Sequence, residues 1–303
     1  MKEKKNVIIT GVSGFVGSNL QDYLKPLFEV IPLSVRYRPN QQLEIKADAI
    51  VHLAGKAHDL KKGSKPTDYY EANFELTKQL FDTFLLSKAS VFVFISTVKS
   101  VADTVEGILK EDAVANPQTH YGISKQQAEQ YILSQKLPNE KRVYILRPCM
   151  IHGAGNKGNL NLLYQLVSKG LPWPLGDFEN QRSFLSIENL CFVIKELLQN
   201  TAVPPGVYQV ADDEALSTNE LIQLLGISLG KKTKIWKFSA PFIRFFASIG
   251  DKIHLPLNSE RLQKLTENYV VSNTKIVAAM GRSLPITAKR GLLETFQSFR
   301  TLP

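Results

Sequence analysis

The stretch Asn6-Val7-Ile8-Ile9-Thr10-Gly11-Val12-Ser13-Gly14-Phe15-Val16-Gly17 decides the fold. Its apolar run predicts a strand over 6–10, and its glycines then break the chain before a helix that opens at about Gly14. In that setting each glycine has a separate use. Gly11 permits the tight turn, Gly14 lets the backbone approach an anionic diphosphate, and Gly17 lets the helix lie close on the sheet. Phe15 and Val16 fall in the first helical turn, whose N–H groups and dipole favour an anion. Three glycines alone are weak evidence, and a plain strand–helix turn is the competing reading. The strand before them and the helix after them favour the cofactor cradle.

Outward from this turn, FEVIPLS (28–34), AIVHLA (49–54), VFVFIS (91–96) and VYILR (143–147) read as further strands. Helical segments at about 67–88 and 120–135 alternate with them, as in an α/β fold with a doubly wound parallel sheet of the Rossmann type. Only twelve residues separate Val35 from Asp48, roughly enough for one crossover and too few for another strand and helix. That edge strand is predicted to be lost. Past residue 155 come helices at 159–169 and 187–200 around the loop LPWPLGDFENQR (171–182), and then GVYQVA (206–211), a strand expected to rejoin the main sheet. The predicted division is a nucleotide-binding domain of 1–155 plus about 183–212, and a small helical substrate lobe of 156–182 plus 213–303. APFIRFFASIG (240–250) is expected to face the lobe core, with an interfacial membrane helix as the alternative.

Composition narrows the class. An apolar share of 44 % supports a sizeable core, and two cysteines, Cys149 and Cys191, cannot form a disulfide framework. The N-terminus MKEKKNVIITG lacks the apolar core of a signal peptide, and no apolar run reaches bilayer length. A soluble cytoplasmic protein is expected. The formal charge is +9, but the lysines are scattered without interleaved aromatics, so no nucleic-acid partner is expected. A basic cleft for an anionic small substrate is compatible with the same charge.

A carboxylate at the end of the second strand commonly binds the adenosine ribose of NAD. Here Ser34 stands there, followed by Val35, Arg36 and Arg38, so NADP is favoured over NAD. Farther on, Tyr121 and Lys125 stand at i and i+4 near the start of a helix and share one face. An ammonium close to a phenol, with an oxidised nicotinamide nearby, favours the phenolate. Ser96 and Thr97 end the fourth strand, at the carboxyl edge where open α/β sheets bind ligands. A hydroxyl there can bond the substrate oxygen that Tyr121 deprotonates.

Five ordered segments, TGVSGFVG (10–17), HLAGKAHD (52–59), FISTVKS (94–100), YGISK (121–125) and RPCMIHGAGNKGN (147–159), resemble the extended short-chain dehydrogenase/reductase family. The likeness is to its sugar-nucleotide epimerases and 4-ketoreductases. It implies an NAD- or NADP-dependent enzyme that exchanges hydride at C4 of a nucleotide-linked, UDP-type hexose. It further implies that Gly11, Gly14 and Gly17 hold the diphosphate, that Leu53, Ala54, Gly55 and Lys56 lie along the cofactor, and that Asn73 holds its nicotinamide end. Thr97, Tyr121 and Lys125 match the catalytic triad, with Ser96 as a further substrate contact. Asn159 and Leu160 match residues near the nucleotide diphosphate, and Arg182 and Arg261 match arginines that clamp it. The helices at 67–88 and 120–135 match a homodimer interface.

Two relatives are disfavoured by the same residues. The 4,6-dehydratases place an Asp-Glu pair after the threonine, whereas this chain has Val98 and Lys99. The 3,5-epimerising reductases need a Cys and His pair, and Cys149 with His152 lacks their pattern. His52 and His58 are not expected to bind metal. Epimerase and ketoreductase stay open. A non-catalytic dinucleotide-binding regulator is the alternative of another class, and it is disfavoured because the tyrosine, lysine and hydroxyl are all present.

Overall fold

The computed structural model describes residues 4–57, 65–156, 159–253 and 258–300; His58 falls outside them. Six strands form one parallel sheet: β1 (Asn6–Thr10), β2 (Glu29–Leu33), β3 (Ala49–His52), β4 (Val91–Ile95), β5 (Arg142–Pro148) and β6 (Gly206–Val210). Their order across the sheet is β2-β1-β3-β4-β5-β6. The order reverses between β1 and β3, so the carboxyl ends of these strands open a crevice where ligands bind in such sheets.

Alternation along the strands builds two different faces. Val7, Ile9, Val51, Val93, Ile95 and Leu146 point to one side, where they meet α1 (Phe15–Leu24) and, beyond it in the chain, the helix Ile187–Gln199. Ile8, Ile50, Phe92, Phe94 and Ile145 point to the other. There α2 (Pro66–Tyr70), a π-turn (Glu71–Glu75) and α3 (Leu76–Leu86) run on from one another, and α4 (His120–Ser134) lies alongside. Phe81, Phe84, Ala128 and Ile132 cover this aromatic side of the sheet.

Between Leu33 and Ala49 there is neither strand nor helix, as the short spacing predicts. The loop itself fills part of the space, burying Ile45 against the aromatic face. Gln79 of α3 pins it by donating to the carbonyls of Arg38 (3.1 Å) and Gln41 (2.6 Å).

A second apolar cluster forms the lobe. It draws on α5 (Asn159–Ser168), α7 (Thr218–Leu229), α8 (Ala240–Ile253), α9 (Ser259–Thr266) and α11 (Ala288–Ser298), with Trp173, Leu175 and Phe184 among them; α6 is the helix Ile187–Gln199 already named, and α10 spans Thr274–Met280. Arg182–Ser186 lies in a separate three-stranded sheet between Met150–His152 and Ala215–Leu216. Tyr269, Val271, Ile276 and Met280, late in the sequence, pack into the first cluster, on the α1 side of the main sheet.

The turn after β1 is tightly fixed. A Cβ on Gly17 would stand 2.2 Å from the Gly11 carbonyl oxygen and 2.6 Å from Val12 Cα. Both are backbone atoms that cannot swing aside, so Gly17→Ala must push α1 off the turn. Overpacking of this kind costs about 1–3 kcal/mol. Urea denaturation is expected to show that loss, and fluorescence titration with NADH a drop in affinity of roughly tenfold or more, since a displaced helix start no longer aims its free N–H groups at an anion.

Candidate active site

The crevice is built from the ends of β1, β3 and β4 and the start of α4. Gly14 is the N-cap of α1, and no side chain caps its first turn. The leading N–H groups, those of Phe15, Val16 and Gly17 among them, therefore lack intrahelical partners by helix geometry and present a positive dipole end. Beside them Thr10 Oγ1 accepts from the N–H groups of Leu53 (3.1 Å) and Ala54 (3.0 Å). With its lone pairs so engaged, Thr10 donates to His52 Nδ1 (2.7 Å). His52 Nε2 then donates to Thr77 Oγ1 (3.0 Å), whose hydroxyl donates to the Asn73 carbonyl (2.7 Å). His52 is thus a neutral, fully buried link in a chain from β1 to the π-turn. Burial first, and then the charge of Lys125, hold its pKa down at about 3.

The π-turn places Asn73. Its side-chain oxygen accepts from the Lys56 N–H (2.8 Å), and its amide donates to the Lys56 carbonyl (2.9 Å) and to Ser124 Oγ (3.0 Å). One buried asparagine thereby ties the Gly55-Lys56 loop to the turn of α4 that carries Tyr121 and Lys125. Such single-turn π-bulges are frequent at functional sites. Lys125 Nζ stands 3.3 Å from where a Cβ on Gly55 would be, so the loop, Asn73 and Lys125 border one cradle.

Thr97 follows β4 and caps the short turn Val98–Ser100, its Oγ1 accepting from the Lys99 N–H (3.2 Å), and its side chain lies on the Tyr121 side of the turn, where it favours the phenolate. Gly122 makes this approach possible: a Cβ there would meet the Lys99 carbonyl oxygen at 2.4 Å. Any larger residue after Tyr121 would separate α4 from the threonine turn. Lys125 is buried, donates to the Ile95 carbonyl (2.8 Å) and lies 4.7 Å over the Phe94 ring. Burial pulls its pKa down to about 8, opposed by the charge of Glu129. The expected lowering of Tyr121 by Lys125 is not what the protein alone produces. Burial raises the phenol, and only the Thr97 side chain counters it.

Ser96 is buried and bonded elsewhere. Its hydroxyl donates to Glu129, and Glu129 Oε1 also lies 2.7 Å from Ser100 Oγ. Arg147 completes this buried knot with a two-pronged contact, Nη2 to Oε2 at 2.6 Å and Nε to Oε2 at 3.0 Å. Glu129 and Arg147 escaped the sequence reading, although Tyr121, Lys125 and Glu129 recur every four residues on one helix face.

In the lobe, Arg182 is half-buried beside the strand that continues into Tyr269. It donates to the Lys264 carbonyl, with its Nη2 3.6 Å from Glu267. Burial lowers its pKa, with Glu267 opposing. Lys99, two residues past Thr97, lies 4.3 Å over the Tyr269 ring and feels the charges of Glu267 and Arg182. Tyr269 thus stands between Lys99 and Arg182, bridged to the arginine along the backbone and covered by the lysine on its ring. Arg261 sits on the exposed face of α9 and Asn159 opens α5. Leu160 has its side chain buried in the second apolar cluster, which leaves its backbone as the group that can face a ligand. Ser34 and Arg36 are exposed just past β2. Cys149 is buried, with its thiol pushed well above the ordinary range by burial and by Asp212. His152 is buried against Thr295 (2.8 Å), so neither is poised for chemistry.

Comparison with known proteins agrees with this geometry. The sequence profile of the NAD dependent epimerase/dehydratase family matches residues 7–211. A UDP-glucose 4-epimerase of Vibrio cholerae is 30 % identical, the match covering 98 % of this chain and 96 % of that one. An N-acetyl-alpha-D-glucosaminyl-diphospho-ditrans,octacis-undecaprenol 4-epimerase of Escherichia coli O157:H7 is 27 % identical over 96 % and 94 %. The structure of RMD from Pseudomonas aeruginosa complexed with NADPH shares the fold, with a TM-score of 0.72 at 22 % identity over 98 % of this chain and 100 % of that chain. With an uncapped glycine turn, a buried lysine and a Thr–Tyr pair in one crevice, the chain belongs to the NAD-dependent epimerase/dehydratase family and is an NAD(P)-dependent enzyme of its sugar-nucleotide epimerase/reductase kind.

Proposed function

We propose that the chain is a 4-epimerase of a UDP-linked hexose. The observation that carries this reading is that α4 brings Tyr121 and buried Lys125 to the carboxyl end of β4, where Lys125 donates to the Ile95 carbonyl (2.8 Å) two residues before Thr97. Tyr121 takes the proton of the C4 hydroxyl while Thr97 holds the same oxygen, and the proton returns to that oxygen once the ketone has turned. The dinucleotide, when bound, supplies hydride acceptance and return. Lys125 keeps positive charge beside the phenol and Asn73 holds the loop that flanks it. Val98 and Lys99 offer no acid–base pair for elimination at C6. Likeness to two 4-epimerases along nearly their whole length supports the same choice. Arg182 suits the diphosphate, because a guanidinium fork pairs with two phosphate oxygens, and the face of α3 and α4 suits a homodimer.

A second reading, a 4-ketoreductase that exchanges NADPH each turnover, is favoured by exposed Ser34 and Arg36 where a ribose-binding acid would repel a 2′-phosphate. Proton NMR of the purified protein with UDP-glucose and a trace of NAD⁺ tests the choice. Epimerisation predicts the galacto anomeric signal without net formation of NADH. Absence of that signal, with stoichiometric oxidation of NADPH by a 4-keto sugar nucleotide, would give the reductase instead.

A further inference from the structure

The chain has sixteen phenylalanines and two tryptophans, and every exposed one lies between residues 236 and 246. Trp236, Phe238, Phe242, Phe245 and Phe246 are 50, 40, 49, 61 and 46 % exposed. Their rings form one continuous series. Trp236 meets Phe238 at 5.9 Å, Phe238 meets Phe242 at 5.9 Å, Phe242 meets Phe246 at 4.7 Å and Phe245 meets Phe246 at 5.8 Å. Single exposed apolar residues are ordinary, whereas a contiguous aromatic patch marks an interaction site.

The patch follows from the division of labour on α8. Ile243 and Ala247, one turn apart, enter the lobe core, while Phe242, Phe245 and Phe246 occupy the opposite side. The preceding segment is held by backbone bonds, Trp173 N–H to the Lys234 carbonyl (2.8 Å) and Trp236 N–H to the Trp173 carbonyl (2.8 Å). Its bridge to Trp173 turns Ile235 towards the lobe core and leaves Trp236 outside. The rings are therefore presented on a fixed surface.

The charge around the rings is mostly positive; the acid at its edge is exposed Asp177, whose carboxylate accepts from the Ala240 N–H (3.3 Å) at the start of α8. Lys231, Lys232, Lys234, Lys237 and Arg244 are all exposed, and no Asp or Glu occurs between Glu220 and Asp251. A two-fold contact between two copies would bring these cations against their own images, which like-charge repulsion disfavours. An anionic bilayer surface complements them. Among the described residues no helix is long and apolar enough to cross a membrane, so the helix would lie in the interface. Aromatic rings settle at the headgroup boundary and basic side chains pair with lipid phosphates.

We infer that the Trp236–Phe246 face is a docking site for anionic membrane surfaces. It concerns where the enzyme works and does not depend on which sugar the crevice turns over. The test is co-sedimentation of the full chain with phosphatidylcholine vesicles carrying about a third phosphatidylglycerol. The bound fraction is expected to rise with phosphatidylglycerol content, to fall with salt, and to drop roughly tenfold in Phe242→Ser/Phe245→Ser/Phe246→Ser. Unchanged NADH binding by that variant shows that it is folded. Lys231→Glu/Lys232→Glu/Lys234→Glu should lose the dependence on phosphatidylglycerol. No vesicle binding, or equal binding by the aromatic variant, overturns the inference. So does a wild-type dimer that ignores vesicles and splits in the aromatic variant, which would make the face a contact between copies.

Discussion

Tyr121→Phe is expected to lower turnover by about three orders of magnitude and to leave NADH affinity almost unchanged. The substitution removes the phenolic oxygen beside Thr97 and keeps the ring in its place. Stopped-flow or NMR assay of epimerisation beside a fluorescence titration separates the two effects. A loss below tenfold would mean that another group carries the proton. The pH profile should carry the same signature. Burial raises the Tyr121 phenol, so at neutral pH the protein alone favours the protonated form, ready to act as an acid. Removing the substrate proton calls for nearby positive charge. Lys125, held at about 8, supplies that charge below this value and loses it above. Oxidation is therefore expected to quicken with rising pH and to level off beyond about 8, where each gain in phenolate is matched by a loss of the Lys125 cation.

Arg147→Leu should cost about 3–5 kcal/mol of stability, because it strands Glu129 as an unpaired buried carboxylate. The double variant Glu129→Leu/Arg147→Leu should recover most of that loss, since an apolar pair needs no desolvation of charge. Urea denaturation of the three proteins decides. A single-variant loss under about 1 kcal/mol would put the pair with the weak surface bridges. Turnover should stay low even in the stable double variant. Ser96 and Ser100 bracket Thr97, and both hydroxyls rest on the Glu129 carboxylate. Without it the threonine is free to wander by the fraction of an ångström that proton transfer does not tolerate.

The sheet was legible because its strands are short apolar runs bounded by glycine and polar turns. The missing edge strand was legible too, from chain length alone. The single helix predicted over 67–88 is in fact interrupted by the π-turn at Glu71–Glu75, and no periodicity announces one extra residue in a turn. Yet that residue count is what brings Asn73 against Lys56 and Ser124. Ser96 and Leu160 were assigned from the family pattern; the fold buries both side chains, and adjacency to a site residue does not mean a shared face. Glu129 was visible as a third member of the Tyr121–Lys125 stripe, but only the fold brings Arg147 to it. On α8 the low charge pointed to a core-facing helix; the fold buries Ile243 and Ala247 but leaves Phe242, Phe245 and Phe246 exposed.

The shortened stretch after β2 leaves that strand at the rim of the sheet, a place where a neighbouring molecule could add its own strand. Glu29 N–H bonds the Lys5 carbonyl, so by alternation the amides of residues 29, 31 and 33 turn inward and those of 30 and 32 face outward. Residue 32 is proline, which has no amide hydrogen to offer. The outer rim is thus left with the Val30 amide as its sole donor within the strand. An enzyme that has shed a protective strand keeps itself from stacking edge to edge by placing one ring at the position where an invading chain would find its second hydrogen bond.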